Sequence, residues 1–127
     1  MTRRAVSTAG APAAVGTYSQ GIVADGFLFC AGQAALDPAT GTLVEGGIEP
    51  ETERVMANLS AVLDAAGASW ADVVKTTIFL VDMADFATVN TIYGRFMGDP
   101  PPARSTIGVA ALPKGARIEI EAVARLG

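Results

Sequence analysis

The chain has no histidine, a single cysteine (Cys30), a single tryptophan and only 6% aromatic residues in 127 positions. Without histidine, one subunit cannot assemble the usual Ser-His-Asp or Cys-His nucleophile, and the commonest nitrogen ligand for zinc or iron is gone. A hard cation held by carboxylates is left open by composition, but no EF-hand spacing occurs and no residues are assigned as metal ligands. A lone cysteine rules out an intrachain disulfide and makes a reducing compartment the simplest setting. The scarcity of aromatics argues against a row of base-stacking platforms, and the formal net charge of −4 argues against a general phosphate-binding surface. Nucleic acid is therefore disfavoured as a partner. There is no run of about eighteen apolar residues, and the opening MTRRAVSTAGAPAAVG lacks the greasy centre of a secretory signal. The expectation is a soluble, cytoplasmic protein with no membrane partner. No GxGxxG or P-loop is present, and Gly67 to Lys75 lacks the spacing to make one, so nucleotide cofactors are disfavoured.

What is present reads as globular: half of the residues are apolar and 17% are charged. The length suits one domain over residues 1–127. Ala5 to Gly16 is rich in Ala, Gly and Pro and predicts an extended edge segment or loop. Gly21-Ile22-Val23 opens a strand, Ala24-Asp25-Gly26 is a hairpin signal, and Phe27 to Ala31 is the returning strand. Turns are expected at Asp37–Gly41 and Glu45–Gly47. Pro50 suits the first turn of a helix and Gly67 the position beyond its end, with Val55, Leu59, Val62, Leu63 and Ala66 forming one apolar stripe between them. Asp72 to Val81 fits a central strand. Asp82 can cap a second helix, on which Phe86, Val89, Asn90, Tyr93 and Met97 share a side. Gly98 and the prolines at 100 to 102 stop it. The order of strands, helix, strand, helix and two strands predicts an α+β domain with both helices on one face of a sheet. The uncovered face makes self-association a reasonable expectation.

The chemistry concentrates in Asp99 to Gly127, which reads as two strands joined by a turn. Alternation sets Arg104, Thr106 and Gly108 against Ser105, Ile107 and Val109, and Ile118, Ile120, Ala122 and Ala124 against Arg117, Glu119, Glu121 and Val123. With the apolar sides inward, Arg104, Thr106, Glu119 and Glu121 would share one patch. Arg104 can clamp a carboxylate with its planar fork of donors, or can serve a structural ion pair with Glu119 or Glu121. Glu119 and Glu121, two apart on a strand, can raise one another's proton affinity, or can lie on a solvated face neutralised by Arg117, Arg125 or Lys75. Tyr18 can line a pocket or simply rest with its ring in the core. Asn90 is either tied to backbone or exposed to a site, and Cys30 is expected to be a buried, inert thiol.

Several segments carry a resemblance: APAAVGTYSQG ending at Gly21, FLFCAGQ from Phe27 to Gln33, Asp37 to Gly41, Ala57-Asn58-Leu59 with Ala65-Ala66-Gly67, Val73 to Val81, Phe86 to Asn90 with Tyr93, and the closing PARS…LPKGARIEIEAVA. Over almost its whole length the chain resembles the Rid family, the YjgF-like reactive intermediate deaminases, with the closing segment the specific match. The resemblance implies a bacillus-type chorismate mutase-like α+β fold. Its features would be a six-stranded mixed sheet, two helices on one face, and a homotrimer with sites between subunits. It also implies cofactor-independent hydrolysis of 2-imino acids and their enamines (2-aminoacrylate, 2-iminopropanoate, 2-iminobutanoate) to 2-keto acids and ammonia. That is the activity of a 2-iminobutanoate/2-iminopropanoate deaminase, which detoxifies reactive intermediates of amino-acid metabolism. The family's marker arginine falls on Arg104 and its closing-strand glutamate on Glu119, the two implied catalytic residues. Its other site positions fall on Tyr18, Gly32, Asn90 and Thr106, implied to bind substrate together with Arg104. Two features depart from the family pattern: Thr106 stands where cysteine is frequent, and the loop Gly94 to Pro102 is shorter. Alternatives in other classes are an endoribonuclease or translation inhibitor, and a non-catalytic trimer that binds small acids.

Overall fold

A computed structural model describes residues 2–127. The strands are β1 (Arg4–Val6), β2 (Gly21–Ala24), β3 (Phe27–Ala34), β4 (Val73–Leu80), β5 (Ala103–Gly108) and β6 (Ile118–Arg125), and the helices are α1 (Ile48–Ala65) and α2 (Phe86–Gly94). They form one six-stranded sheet in the order β1-β2-β3-β6-β4-β5, in which only β4 and β5 run parallel. The sheet is thus mixed and the domain α+β. Among the described residues, no helix is long and apolar enough to cross a membrane.

Local chemistry accounts for the element boundaries. At the β2–β3 hairpin, Asp25 and Gly26 both take positive φ (53° and 78°), as a tight turn between twisted strands demands. α1 ends at Ala65, and Gly67 follows in the left-handed region at φ 78°, where a side chain would be strained. Asp82 accepts a hydrogen bond from the Ala84 N–H at 2.9 Å, capping the short 3₁₀ turn that leads into α2.

The core lies between the sheet and the helices. Val55, Leu59, Val62 and Leu63 of α1 and Val89 and Tyr93 of α2 are buried with Leu28, Ile78, Leu80, Ile118 and Ile120 of the sheet. Burial of such side chains contributes roughly 1.5–3 kcal/mol each and dominates the packing. Polar groups buried in this layer are satisfied: the Thr76 and Tyr93 hydroxyls lie 2.7 Å apart, and Asn58 of α1 donates from Nδ2 to the Ala34 carbonyl at 3.2 Å and the Leu36 carbonyl at 3.0 Å. On the opposite face no helix packs. Phe29 remains 48% exposed there and Ile107 44%, which is a large apolar presentation for a free surface.

The last two strands are not partners. β4 separates them, pairing with β5 in parallel and with β6 antiparallel. The expectation of a turn-joined pair is corrected accordingly.

Candidate active site

The ladder registers decide which side chains can meet. Arg104 pairs with Thr76 and Thr106 with Ile78, both core-facing residues, so Arg104 and Thr106 project on the helix side at the β5 edge. Glu119 pairs with Phe79, which in turn pairs with Ile107, and Glu121 pairs with Thr77. Both glutamates therefore occupy the open face. The expected single patch of Arg104, Thr106, Glu119 and Glu121 does not form, because alternation fixes faces only relative to a strand's true neighbours.

At the β5 edge, Arg104 donates from Nη1 to Asn90 Oδ1 at 2.8 Å. Its guanidinium carbon lies 5.4 Å from the Phe86 ring centre and 5.1 Å from that of Tyr93. Aromatic faces attract the cation and fix its plane without using its N–H donors. The structural ion-pair alternative is excluded, since among the described residues the salt bridge present joins Arg117 to Glu51. Arg104 instead lines a cavity of about 520 Å³ with Asn90, Tyr93, Met97, Pro101 and Pro102. Asn90, exposed rather than buried, is thereby settled as a partner of the arginine.

On the open face, Glu119 is half-buried and its proton affinity is raised, first by burial and then by the neighbouring Glu121 carboxylate. Its carboxylate fills the space that glycine leaves at position 32. A Cβ there would come within 2.9 Å of Glu119 Cδ and 3.1 Å of Cγ. The pairing register slips between Cys30 and Gln33, so a bulge sets Gly32 against the glutamate. None of the cations thought able to neutralise this face does so. Arg117 bonds Glu51, Arg125 stands 5.9 Å from the Phe27 ring centre, and Lys75 donates to Ser105 Oγ at 3.1 Å.

Tyr18 is 54% exposed, not tucked into the core. It rides on the loop before β2, four strand intervals from β5, roughly 19 Å at ordinary strand spacing. Its hydroxyl accepts a long bond from the Val15 N–H at 3.4 Å. The loop itself is pinned by buried Gln20, whose Oε1 accepts from Thr8 N–H at 2.7 Å and whose Nε2 donates to Pro12 O at 2.7 Å. Cys30 is buried, and desolvation pushes its thiol up to about 12, so it is unreactive. Among the described residues no cluster of three or more His, Cys, Asp or Glu side chains could hold a metal ion.

Within one chain the site residues thus fall into three groups: Arg104 with Asn90 and Thr106, Glu119 with Gly32, and Tyr18 alone. Glu51 and Gln20 are buried polar residues not anticipated. Glu51 had a readable signal, since it sits four residues before Val55 and eight before Leu59 and so lies on the apolar stripe of α1.

The fold and these groups define a class: a two-layer α+β domain with an unpaired arginine at the sheet edge and an unpaired, proton-avid glutamate on the open face. The chain belongs to the Rid family, whose model, described as Endoribonuclease L-PSP, matches residues 8–126. It is 54% identical to a RutC family protein of Synechocystis over 99% of this chain and 98% of the relative. It is 48% identical to the human 2-iminobutanoate/2-iminopropanoate deaminase over 100% of this chain and 93% of the human protein. The crystal structure of E. coli TdcF with bound serine superimposes with a TM-score of 0.92 at 35% identity, covering 98% of this chain and 99% of TdcF.

Proposed function

We propose that residues 1–127 act as one Rid-type domain hydrolysing 2-imino acids and their enamine tautomers to 2-keto acids and ammonia in the cytoplasm, as a 2-iminobutanoate/2-iminopropanoate deaminase. The observation that carries this reading is the Arg104 guanidinium, oriented by Asn90 and two rings yet unpaired with any carboxylate, beside an open cavity. Full-length similarity to the human deaminase and to a relative holding serine, itself an α-amino acid with a free carboxylate, supports it.

In this reading Arg104 grips the substrate carboxylate bidentately, and backbone groups near Gly32 and Thr106 orient the planar C=N group. Glu119, more proton-avid than an ordinary glutamate and better shielded than exposed Glu121, takes a proton from water as the oxygen adds to the imine carbon. That proton passes to nitrogen to give the carbinolamine; the remaining hydroxyl proton is then relayed to nitrogen, the C–N bond breaks as the C=O forms, and ammonia leaves the keto acid. An imine carbon is already electrophilic, so placement and relay of water's two protons to nitrogen suffice without a cofactor.

The three groups reach one another when subunits associate. A chorismate mutase-like homotrimer, its open faces inward and its clefts between neighbours, would cover Phe29 and Ile107 and bring Arg104 of one copy toward residues of the next. Tyr18 would close such a cleft. The test supplies 2-aminoacrylate or 2-iminobutanoate from a dehydratase and follows keto acid. Faster appearance with this protein supports the reading, and an unchanged rate defeats it.

Gly32→Ala carries a separate prediction. The added methyl must displace the Glu119 carboxylate, a movable side-chain end, so stability changes by only about 1 kcal/mol. Turnover is expected to fall about ten-fold from misplacement of the base, by steady-state kinetics beside a thermal melt.

The family model's description favours a second reading, an RNA-cleaving enzyme. It requires RNA binding with a steep inverse dependence on salt, and cleavage lost on substitution of Arg104 or Glu119. The net charge of −4 and the absence of histidine count against it. Keto acid binding that stabilises the fold without turnover would instead favour a non-catalytic binder.

A further inference from the structure

Glu51 is a fully buried carboxylate in the first turn of α1, and the mechanism above makes no use of it. A charge removed from water is costly unless it is paired and hydrogen-bonded, and Glu51 is both. Its Oε1 accepts from the Arg117 backbone N–H at 2.8 Å, and its Oε2 lies 2.6 Å from Arg117 Nη1. Arg117 immediately precedes β6, two residues before Glu119. Strand alternation would place position 117 on the same face as Glu119, about 7 Å along the strand, within reach of a long flexible side chain. The chain bends at Arg117 instead, and the guanidinium turns to the helix layer.

We infer that Glu51 is a positioning residue: by holding Arg117 at the mouth of β6 it keeps a cation away from Glu119 and leaves that carboxylate free to accept a proton. The inference rests on the role given to Glu119 above. The charged groups near Glu119 fit it. Glu121 on β6 shares its face, Lys75 on β4 is engaged by Ser105, and Arg125 at the far end of β6 lies against Phe27. From β3 the uncharged Gly32 and Ala34 face Glu119, and from β4 Phe79. Arg117 is thus the nearest cation along the strand that loss of one partner would release. Paired with Glu119, it would favour the ionised carboxylate and weaken it as a base, in agreement with the direction in which Glu119 is shifted in the intact fold.

The experiment titrates the Glu119 carboxyl by ¹³C NMR in the full chain, with its signal assigned by loss in Glu119→Gln, alongside the pH profile of imine hydrolysis. In Glu51→Ala the Glu119 titration is expected to move down by about one pH unit. kcat should fall about ten-fold, with KM held within about two-fold. The double variant Glu51→Ala with Arg117→Met returns the titration to its wild-type position, which loss of structure alone would not do. Glu51→Gln keeps an acceptor oxygen but no charge, and shifts the titration the same way by a few tenths of a unit. It carries the test if the alanine variant does not fold. An unmoved Glu119 in folded Glu51→Ala, a shift that persists in the double variant, or, where Glu51→Ala does not fold, an unmoved Glu119 in Glu51→Gln would overturn the inference. The titration needs no turnover, so a protein that fails to hydrolyse imines yet shows these shifts refutes the deaminase reading and leaves the role of Glu51 standing.

Discussion

Replacing Arg104 with alanine is expected to lower kcat/KM for a 2-imino acid about a thousand-fold, equivalent to about 4 kcal/mol of transition-state binding. The size follows from what is lost: two charge-assisted hydrogen bonds to a carboxylate, plus the orientation they impose on the reacting carbon. The fold should survive. Arg104 is at a sheet edge, its protein partners are Asn90 and the Phe86 and Tyr93 faces, and no buried charge is orphaned by its removal. Two partly exposed cation–π contacts contribute about 1–2 kcal/mol together, which lowers Tm by several degrees. Arg104→Lys keeps the charge but not the fork, and should recover less than about a tenth of the lost rate. Steady-state kinetics beside thermal denaturation separate these effects. A variant that melts normally and turns over normally would remove Arg104 from the mechanism.

Glu119→Gln should cost about a thousand-fold in kcat with little change in KM, because the amide fills the same space against Gly32 but cannot take a proton. Its stability should change in the opposite sense. Glu119 has a folded-state proton affinity raised above that of the unfolded chain, so the folded protein holds the proton more tightly. The associated stability is fully present below the unfolded glutamate pKa of about 4.3 and is lost as pH rises through the folded value. At neutral pH the ionised, half-desolvated side chain is therefore a liability, and Glu119→Gln should melt higher than wild type at pH 7. That advantage should vanish near pH 4. In the active wild type, kcat should climb with pH along a limb lying above the ordinary glutamate range, a limb set by the same group. Melts at the two pH values together with the pH–rate profile check both halves, and a variant less stable than wild type at pH 7 would contradict the raised proton affinity.

Individual elements show why some of this was legible in the amino-acid order and some was not. The Asp25-Gly26 hairpin, the stripe of α1 and the faces of β6 follow from strong local signals: a residue pair that tolerates positive φ, apolar spacing of three and four, and strict alternation on a buried strand. β5 has no such signal. It is an edge strand whose residues are exposed or half-buried on both sides, so its alternation says nothing about which face meets the core. Its parallel pairing to β4 depends on the crossover through α2, a long-range feature, so alternation alone groups Arg104 with Glu119 and Glu121 whereas the fold sets it beside Asn90. The identities of the site residues came from resemblance to the Rid family. Their separation into three groups within one chain came only from the registers. Glu51 is hard to read from the amino-acid order because a single carboxylate at the head of an apolar stripe is outweighed by the five apolar side chains that follow it, although a buried charge of that kind needs a partner from elsewhere in the chain.

Whether Arg104 grips the substrate's carboxylate is decided by a crystal structure of the assembled protein with pyruvate, the keto acid product of 2-aminoacrylate hydrolysis. Both carboxylate oxygens are expected within hydrogen-bonding distance of the Arg104 guanidinium, with the carbonyl carbon facing Glu119 across a subunit boundary. Pyruvate bound away from Arg104, or Arg104 occupied by a carboxylate of the protein itself, would contradict it.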